Sequence, residues 1–364
     1  MIGKTAAIAA ALAVVCGAAG TSIGQQTTDT KKPASEIGPS VQFGPGAGSR
    51  LSLTDMKGKV AVVLFFQSWC GICNGWSPEL FRQLDQAAAD KPEVVLLAVK
   101  TDGGGYNGAA KYLKTRISDP ARWLIASDQK ATWYKVAMGT DTLYSFMVIG
   151  PDGTVIDSGK AGMFYSGGDQ KKFVLPSKLG RYVQQASPTT ILPKDKTYHE
   201  TLKQAARAAE LRQFAAALQL CNRASGKEAK ASAAELKKDL TDWAGKQVEA
   251  LGAVLKDAEA DGTKRFEAYL ELDRIARGLP RSEPGRQARK AVNEAARDKA
   301  IGKQTQAQRA YMTLMSKASQ PRRLLGNAEF VAALKALAEK FPDTKFGKMA
   351  AADAARVAAA RQPS

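Results

Sequence analysis

The chain has 364 residues, 45% of them apolar, and a net charge of +18, so it can bury sizeable cores and is long enough for two domains. Residues 201–364 carry 31 Lys and Arg against 19 Asp and Glu. These charges are interleaved with alanines and acids and lack an aromatic-studded basic stretch, which argues against a nucleic-acid-binding protein.

A lysine at position 4 precedes an apolar run over residues 6–15, too short to span a bilayer, and small residues follow at Gly17, Ala18, Ala19, Gly20, Ser22 and Gly24. This pattern predicts a signal peptide over residues 1–24 and a secreted or periplasmic protein, with a buried N-terminal helix as the alternative. Cys16 would be the lipid anchor of a lipoprotein, but Val15 stands where a small residue normally precedes such a cysteine. No later segment is apolar enough for a transmembrane helix. Residues 25–49, rich in Thr, Lys, Pro, Ser and Gly, predict a flexible leader.

From residue 50 to 187 apolar runs and helical patterns alternate. Residues 60–66 and 94–99 read as strands buried on both faces and 123–126 as a shorter one. Helical spacing occupies 78–84, 109–117, 130–138 and 179–185. Alternation of this kind favours a partly parallel sheet. Residues 144–149 and 154–157 flank Pro151-Asp152-Gly153, the composition of a hairpin turn.

Residues 188–200 predict a linker, after which strand patterns vanish and 201–364 reads as all helix. Phe214, Phe266 and Phe330 each open a Phe-x-Ala-x-Leu-like helical segment. Leu279-Pro280 before Pro284-Gly285 echoes Phe341-Pro342 before Phe346-Gly347. The pattern suggests helical hairpins with long second helices over 231–258 and 286–315, akin to a tetratricopeptide-like stack but without its 34-residue period. An ordinary helical bundle is the alternative. The linker and the change of composition predict that the helical domain folds by itself. A protein partner is its expected ligand.

Chemistry concentrates at Trp69-Cys70-Gly71-Ile72-Cys73, between a buried strand and a helix. A cysteine at a helix N-terminus meets unpaired N–H groups and the positive end of the helix dipole, which favour thiolate over thiol. A second cysteine one turn on can attack the resulting mixed disulfide. Cys70 is therefore the expected nucleophile and Cys73 the resolving thiol. A structural zinc site would need two more ligands, and only the distant His199 and Cys221 remain. No metal or cofactor is expected. Cys221, on an apolar helical stripe, reads as a small buried hydrophobe.

The lead-in over 51–59, the strand ending at Phe66, the Trp-Cys-Gly-Ile-Cys motif and Pro78 together resemble the TlpA-like branch of the thioredoxin superfamily, over residues 50 to about 157. The resemblance implies an α/β thioredoxin-like domain, a mixed central sheet flanked by helices, with a redox-active disulfide. The implied activity is that of an extracytoplasmic thiol-disulfide oxidoreductase acting on protein thiols or disulfides. Three positions depart from the family pattern. Tyr144 or Ser145 stands near the place of the cis-proline that faces the dithiol. Trp76 stands where the family's reductants often carry glutamate, and Leu64 where thioredoxins bury aspartate. Glu79 and Asp102 are the only, distant, candidates to accept the Cys73 proton. Two functions stay open: that oxidoreductase, or a redox-inactive scaffold with a static disulfide and a partner-binding helical domain.

Overall fold

The computed structural model describes residues 32–44, 51–117, 122–142, 144–167, 170–186, 188–318 and 327–360. The expected signal peptide and Cys16 lie outside them. The first unit runs β1 (Gln42–Phe43), β2 (Val60–Phe66), α1 (Gly71–Ala87), β3 (Val94–Lys100), α2 (Gly105–Leu113), β4 (Trp123–Ser127), α3 (Thr132–Met138), β5 (Ser145–Ile149), β6 (Val155–Lys160), β7 (Phe164–Gly167), β8 (Gln170–Phe173) and α4 (Val174–Ala186).

Six strands form one sheet in the order β1-β4-β3-β2-β5-β6. β2, β3 and β4 are parallel, joined through α1 and α2, while β5 and β6 form the antiparallel hairpin around Gly153 at φ 81°. β2 is apolar throughout because it is covered on both faces. Val60, Val62, Leu64 and Phe66 pack with Leu80, Phe81 and Leu84 of α1 and Leu179 and Tyr182 of α4. Ala61, Val63 and Phe65 pack with Trp133 and Tyr134 of α3. Each fully buried Val, Leu or Phe contributes about 1.5–3 kcal/mol. This mixed sheet with helices on both faces is the thioredoxin-like fold. A second, two-stranded ribbon, β7 with β8, follows the hairpin, where the glycine-rich composition of residues 158–168 gave no strand signal.

The remainder is helical: α5 (Lys203–Glu210), α6 (Phe214–Asn222), α7 (Lys227–Lys256), α8 (Gly262–Gly278), α9 (Glu283–Ala295), α10 (Lys299–Lys317), α11 (Ala328–Lys340) and α12 (Lys345–Ala359). Phe214, Phe266 and Phe330 share one core. The two echoing turns have the same geometry. Ser282 and Thr344 each cap the next helix, accepting from the N–H of Gly285 at 3.1 Å and of Gly347 at 3.0 Å. A Cβ on Gly285 or Gly347 would lie within 2 Å of the carbonyl oxygen of Leu279 or Phe341, so both positions require glycine. The long helix expected over 286–315 is instead two. Asp298 breaks it by accepting the N–H groups of Ala300 and Ile301, at 2.7 and 3.2 Å, as the N-cap of α10.

Two further expectations need correction. Residues 32–44, expected within a flexible leader, are packed between the sheet and the helices: Ala34, Ser35, Glu36, Ile37 and Val41 are buried. Ser35 donates to Asp353 at 3.3 Å and its carbonyl accepts from Trp133 Nε1 at 3.0 Å. Ala34 N–H bonds Gly153 O at 2.9 Å, and Val155 N–H bonds Lys32 O at 3.0 Å. Polar composition hid this because the polar groups find tertiary partners. The expected linker, residues 188–200, supplies Ile191 and Leu192 to the helical core, and their N–H groups donate to Glu210 at 3.1 and 2.7 Å.

The two units keep their own cores, and each takes in a residue of the other. Val136 of α3 packs into the helical core and Leu211 into the sheet core. Lys59, fully buried, pairs with Glu210. Lys57 pairs with Glu267 at 2.6 Å and Arg274 with Asp55 at 3.1 Å. Among the described residues no helix is long and apolar enough to cross a membrane.

Candidate functional site

β2 ends at Phe66 and the chain turns through residues 67–69 into α1. Cys70 is the N-cap of that helix, in extended backbone, and its Sγ accepts the N–H of Cys73 at 3.2 Å. The sulfur thus occupies the place usually taken by a capping oxygen, at the positive end of the helix. Both cysteines belong to the core between β2 and α1, with Cys70 2% exposed and Cys73 wholly buried. Burial first, and the hydrogen bond to Cys70 second, push the Cys73 thiol up to about 12.

The remaining predicted residues surround this pair. Trp69 is 65% exposed, an unusual state for so large an apolar side chain, and marks the outer rim. Gly71, the first residue of α1, is exposed and nothing crowds its Cα. Ile72 lies in the first turn. Trp76 lies half-buried, its ring over Gly162, so close that a Cβ there would be 2.2 Å from it. Leu64 is buried in the same core as the cysteines. Tyr144 is buried just before β5, with φ 57°, a left-handed conformation uncommon outside glycine and asparagine. Its carbonyl accepts Ala161 N–H at 2.6 Å, and no described peptide bond is cis.

Neither carboxylate candidate serves Cys73. Glu79 is paired with Arg82 at 2.5 Å on the solvent side of α1. Asp102 accepts from Ser68, from its N–H at 3.1 Å and its Oγ at 2.6 Å, and pairs with buried Lys100 at 2.8 Å. Asp102 therefore holds the loop that precedes Cys70. Cys221 is buried in the helical core, as its apolar stripe implied.

Sequence reasoning missed three residues that the fold brings to the dithiol. Ser77 donates to the Cys73 carbonyl and stands 3.1 Å from the Tyr112 hydroxyl. Tyr112 stacks on Phe66 with ring centroids 4.8 Å apart. The Arg116 guanidinium lies 3.8 Å from the centre of the Tyr112 ring and donates to Asn74 Oδ1 at 3.2 Å. Ser77 falls one turn after Cys73, which was a usable signal. Tyr112 and Arg116 come from the other side of β3 in sequence and carried none.

A mixed sheet with a two-cysteine helix N-terminus at the end of its central strand defines a thioredoxin-like domain with a CxxC dithiol. The model of the AhpC/TSA family matches residues 23–158, a stretch that holds the dithiol and the sheet up to the middle of β6. No curated protein matches the chain. Solved structures similar to it include a thiol:disulfide interchange protein of the thioredoxin family from Chlorobium tepidum, 19% identical over 43% of this chain and 96% of that one, TM-score 0.29. Another is a secreted disulfide oxidoreductase of Mycobacterium tuberculosis homologous to E. coli DsbE, 18% identical over 43% of this chain and 94% of that one, TM-score 0.27.

Proposed function

We propose that this protein is an extracytoplasmic thiol-disulfide oxidoreductase that acts on protein thiols or disulfides. Cys70 is the nucleophile and Cys73 the resolving thiol. The observation that carries the reading is Cys70 as N-cap of α1 with the Cys73 N–H on its sulfur. That N–H and the helix dipole stabilise negative charge on Cys70, while Cys73 stays a thiol until a disulfide arrives. In the reducing direction Cys70 thiolate attacks a substrate disulfide, forming a mixed disulfide and expelling one substrate thiol. Cys73 then loses its proton to solvent and attacks Cys70 Sγ. The Cys70–Cys73 bond forms, and the second substrate sulfur leaves with the electron pair and takes up a proton. Location outside the cytoplasm rests on the apolar N-terminal run and its small residues.

A second reading, a scaffold with a static disulfide and a partner-binding helical domain, is favoured by the near-complete burial of Cys70. Equilibration of the purified protein with dithiothreitol or thioredoxin separates the two. A disulfide reduced at a physiologically accessible potential supports the enzyme, and one that resists reduction supports the scaffold.

A further inference from the structure

At the end of the sheet away from the dithiol the two units enclose a cavity of about 250 Å³. It lies beside the start of β2, and the length of that strand, Val60–Phe66, puts it about 20 Å from the turn that carries Cys70. Five buried apolar side chains form its floor: Leu53, Met56, Ala61 and Ile149 from the sheet unit and Met349 from α12. Its rim is polar. Lys57 and Lys345 reach one carboxylate from opposite units, at 2.6 Å on Glu267 Oε2 and 3.0 Å on Oε1. Lys348 is exposed at the same mouth and makes no ion pair among the described residues. Lys59, at the wall, is neutralised by Glu210. Asp152 turns its carboxylate to the N–H and hydroxyl of Thr154, at 2.9 and 2.7 Å. Lys57, Lys345 and Lys348 therefore face Glu267 and Asp152, which leaves the mouth with positive charge in excess. Lys345 and Lys348 also stand in the opening turn of α12, where the helix dipole disfavours cations.

We propose that this cavity binds a small carboxylate with a short apolar tail, the tail on the floor and the carboxylate among Lys57, Lys345 and Lys348. An apolar hollow with a few convergent charged groups is the usual form of a small-molecule site. The volume lies under the roughly 300–1,000 Å³ of drug-sized sites, so a short chain fits and a long acyl chain does not. A cationic ligand would meet three ammoniums, and a neutral one would leave the excess charge without a partner. The carboxylate stays at the mouth, where it keeps part of its water, while the tail gives up its own. Both units touch the ligand: Met56 and Lys57 lie on the chain that enters β2, and Lys345, Lys348 and Met349 lie on α12. Binding therefore fastens the helical unit to the sheet. No residue of the site touches the dithiol, so binding is independent of the redox chemistry.

Titration calorimetry of the full chain with sodium octanoate at low salt should show saturable binding at a single site, with octanol and octylamine about tenfold weaker or worse. Affinity should rise about threefold per methylene from butanoate to octanoate and fall as salt is added. Lys348→Glu changes an exposed side chain and leaves the core intact, and it should weaken octanoate about fivefold or more. Glu267→Gln frees two ammoniums for the ligand and should tighten it. Octanoate should also raise the thermal midpoint of the wild type, and raise that of Lys348→Glu less. If Glu267→Gln does not fold, the ligand series and Lys348→Glu decide by themselves. No binding at millimolar octanoate, equal affinity for octylamine, or unchanged affinity in Lys348→Glu would overturn the inference.

Discussion

The N–H of Cys73 donates to Cys70 Sγ at 3.2 Å, yet the Cys73 side chain itself is enclosed by the apolar residues between β2 and α1. One residue thus supports an anion on its neighbour and resists becoming one. With the Cys73 thiol pushed up to about 12, its thiolate fraction grows about tenfold per pH unit across the neutral and alkaline range. A small alkylating reagent at pH 7 should modify Cys70 at least ~100-fold faster than Cys73. Turnover with a small disulfide should be slow and should climb with pH. Peptide mapping after timed alkylation measures the first. Equal rates at the two cysteines would show that the helix terminus does not separate them.

Trp76 lies one turn beyond Cys73, where a carboxylate would reach the buried sulfur as a proton acceptor. Trp76→Glu should speed the resolving step about tenfold or more, in the lower range of general-base effects. It should also cost about 1–3 kcal/mol of stability through the lost packing on Gly162. Single-turnover kinetics with a preformed mixed disulfide on Cys70 isolates that step. An unchanged rate would mean that proton loss from Cys73 does not limit it.

Asp102 ties the loop before Cys70 to the end of β3. Asp102→Ala should leave the Lys100 ammonium with only the carbonyls of Asp102 and Gly103, and Ser68 without its acceptor, destabilising the fold by about 1–3 kcal/mol. Urea unfolding followed by tryptophan fluorescence provides the number. A change under about 0.5 kcal/mol, the scale of an ordinary surface substitution, would assign Asp102 no structural weight.

Asp128 supplies a pH dependence whose sign is set by burial. Its carboxylate accepts the N–H groups of Thr132 and Tyr134 at 3.1 and 2.9 Å. Burial still dominates and raises it from 3.8 to about 6. A raised acid contributes stability that is fully present below pH 3.8 and is lost as pH climbs through about 6. Relative to Asp128→Asn, the wild type should therefore lose up to about 3 kcal/mol between pH 4 and pH 7. Denaturation midpoints across that interval test it, and parallel curves for the two proteins would contradict it.

Residues 194–364 expressed alone should melt at a lower temperature than the full chain. The cut removes Ser35 from the Tyr311–Asp353 pair, where Tyr311 donates at 2.5 Å, and takes Lys59 from Glu210. Deleting residues up to 44 should have a similar though smaller effect, because Ala34, Ile37 and Val41 leave the sheet core. Calorimetry of the three proteins ranks them. A fragment as stable as the full chain would restore the independent-domain expectation.

The parts that could be read from the chain are those governed by neighbours in sequence. Seven apolar residues from Val60 to Phe66 require burial on both faces wherever they sit, and a cysteine pair three apart at the following helix start must share one turn. The Pro151-Asp152-Gly153 turn and the two proline-glycine helix junctions are equally local, and all formed as their spacing implied. The parts that needed the tertiary structure depend on residues far apart in sequence. Ser35 looks like leader because polar side chains cost burial unless paired, and its hydroxyl partners, Tyr311 and Asp353, are hundreds of residues away. Asp102 looked like a distant acid and is a loop anchor because Lys100 and Ser68 reach it first. Tyr144, buried in the core that holds the cysteines, carried no sign of a left-handed backbone, since a residue other than glycine or asparagine seldom adopts one. Sequence determined where the sulfurs lie, and the assembled core decided what surrounds them and so how reluctantly the Cys73 thiol ionises.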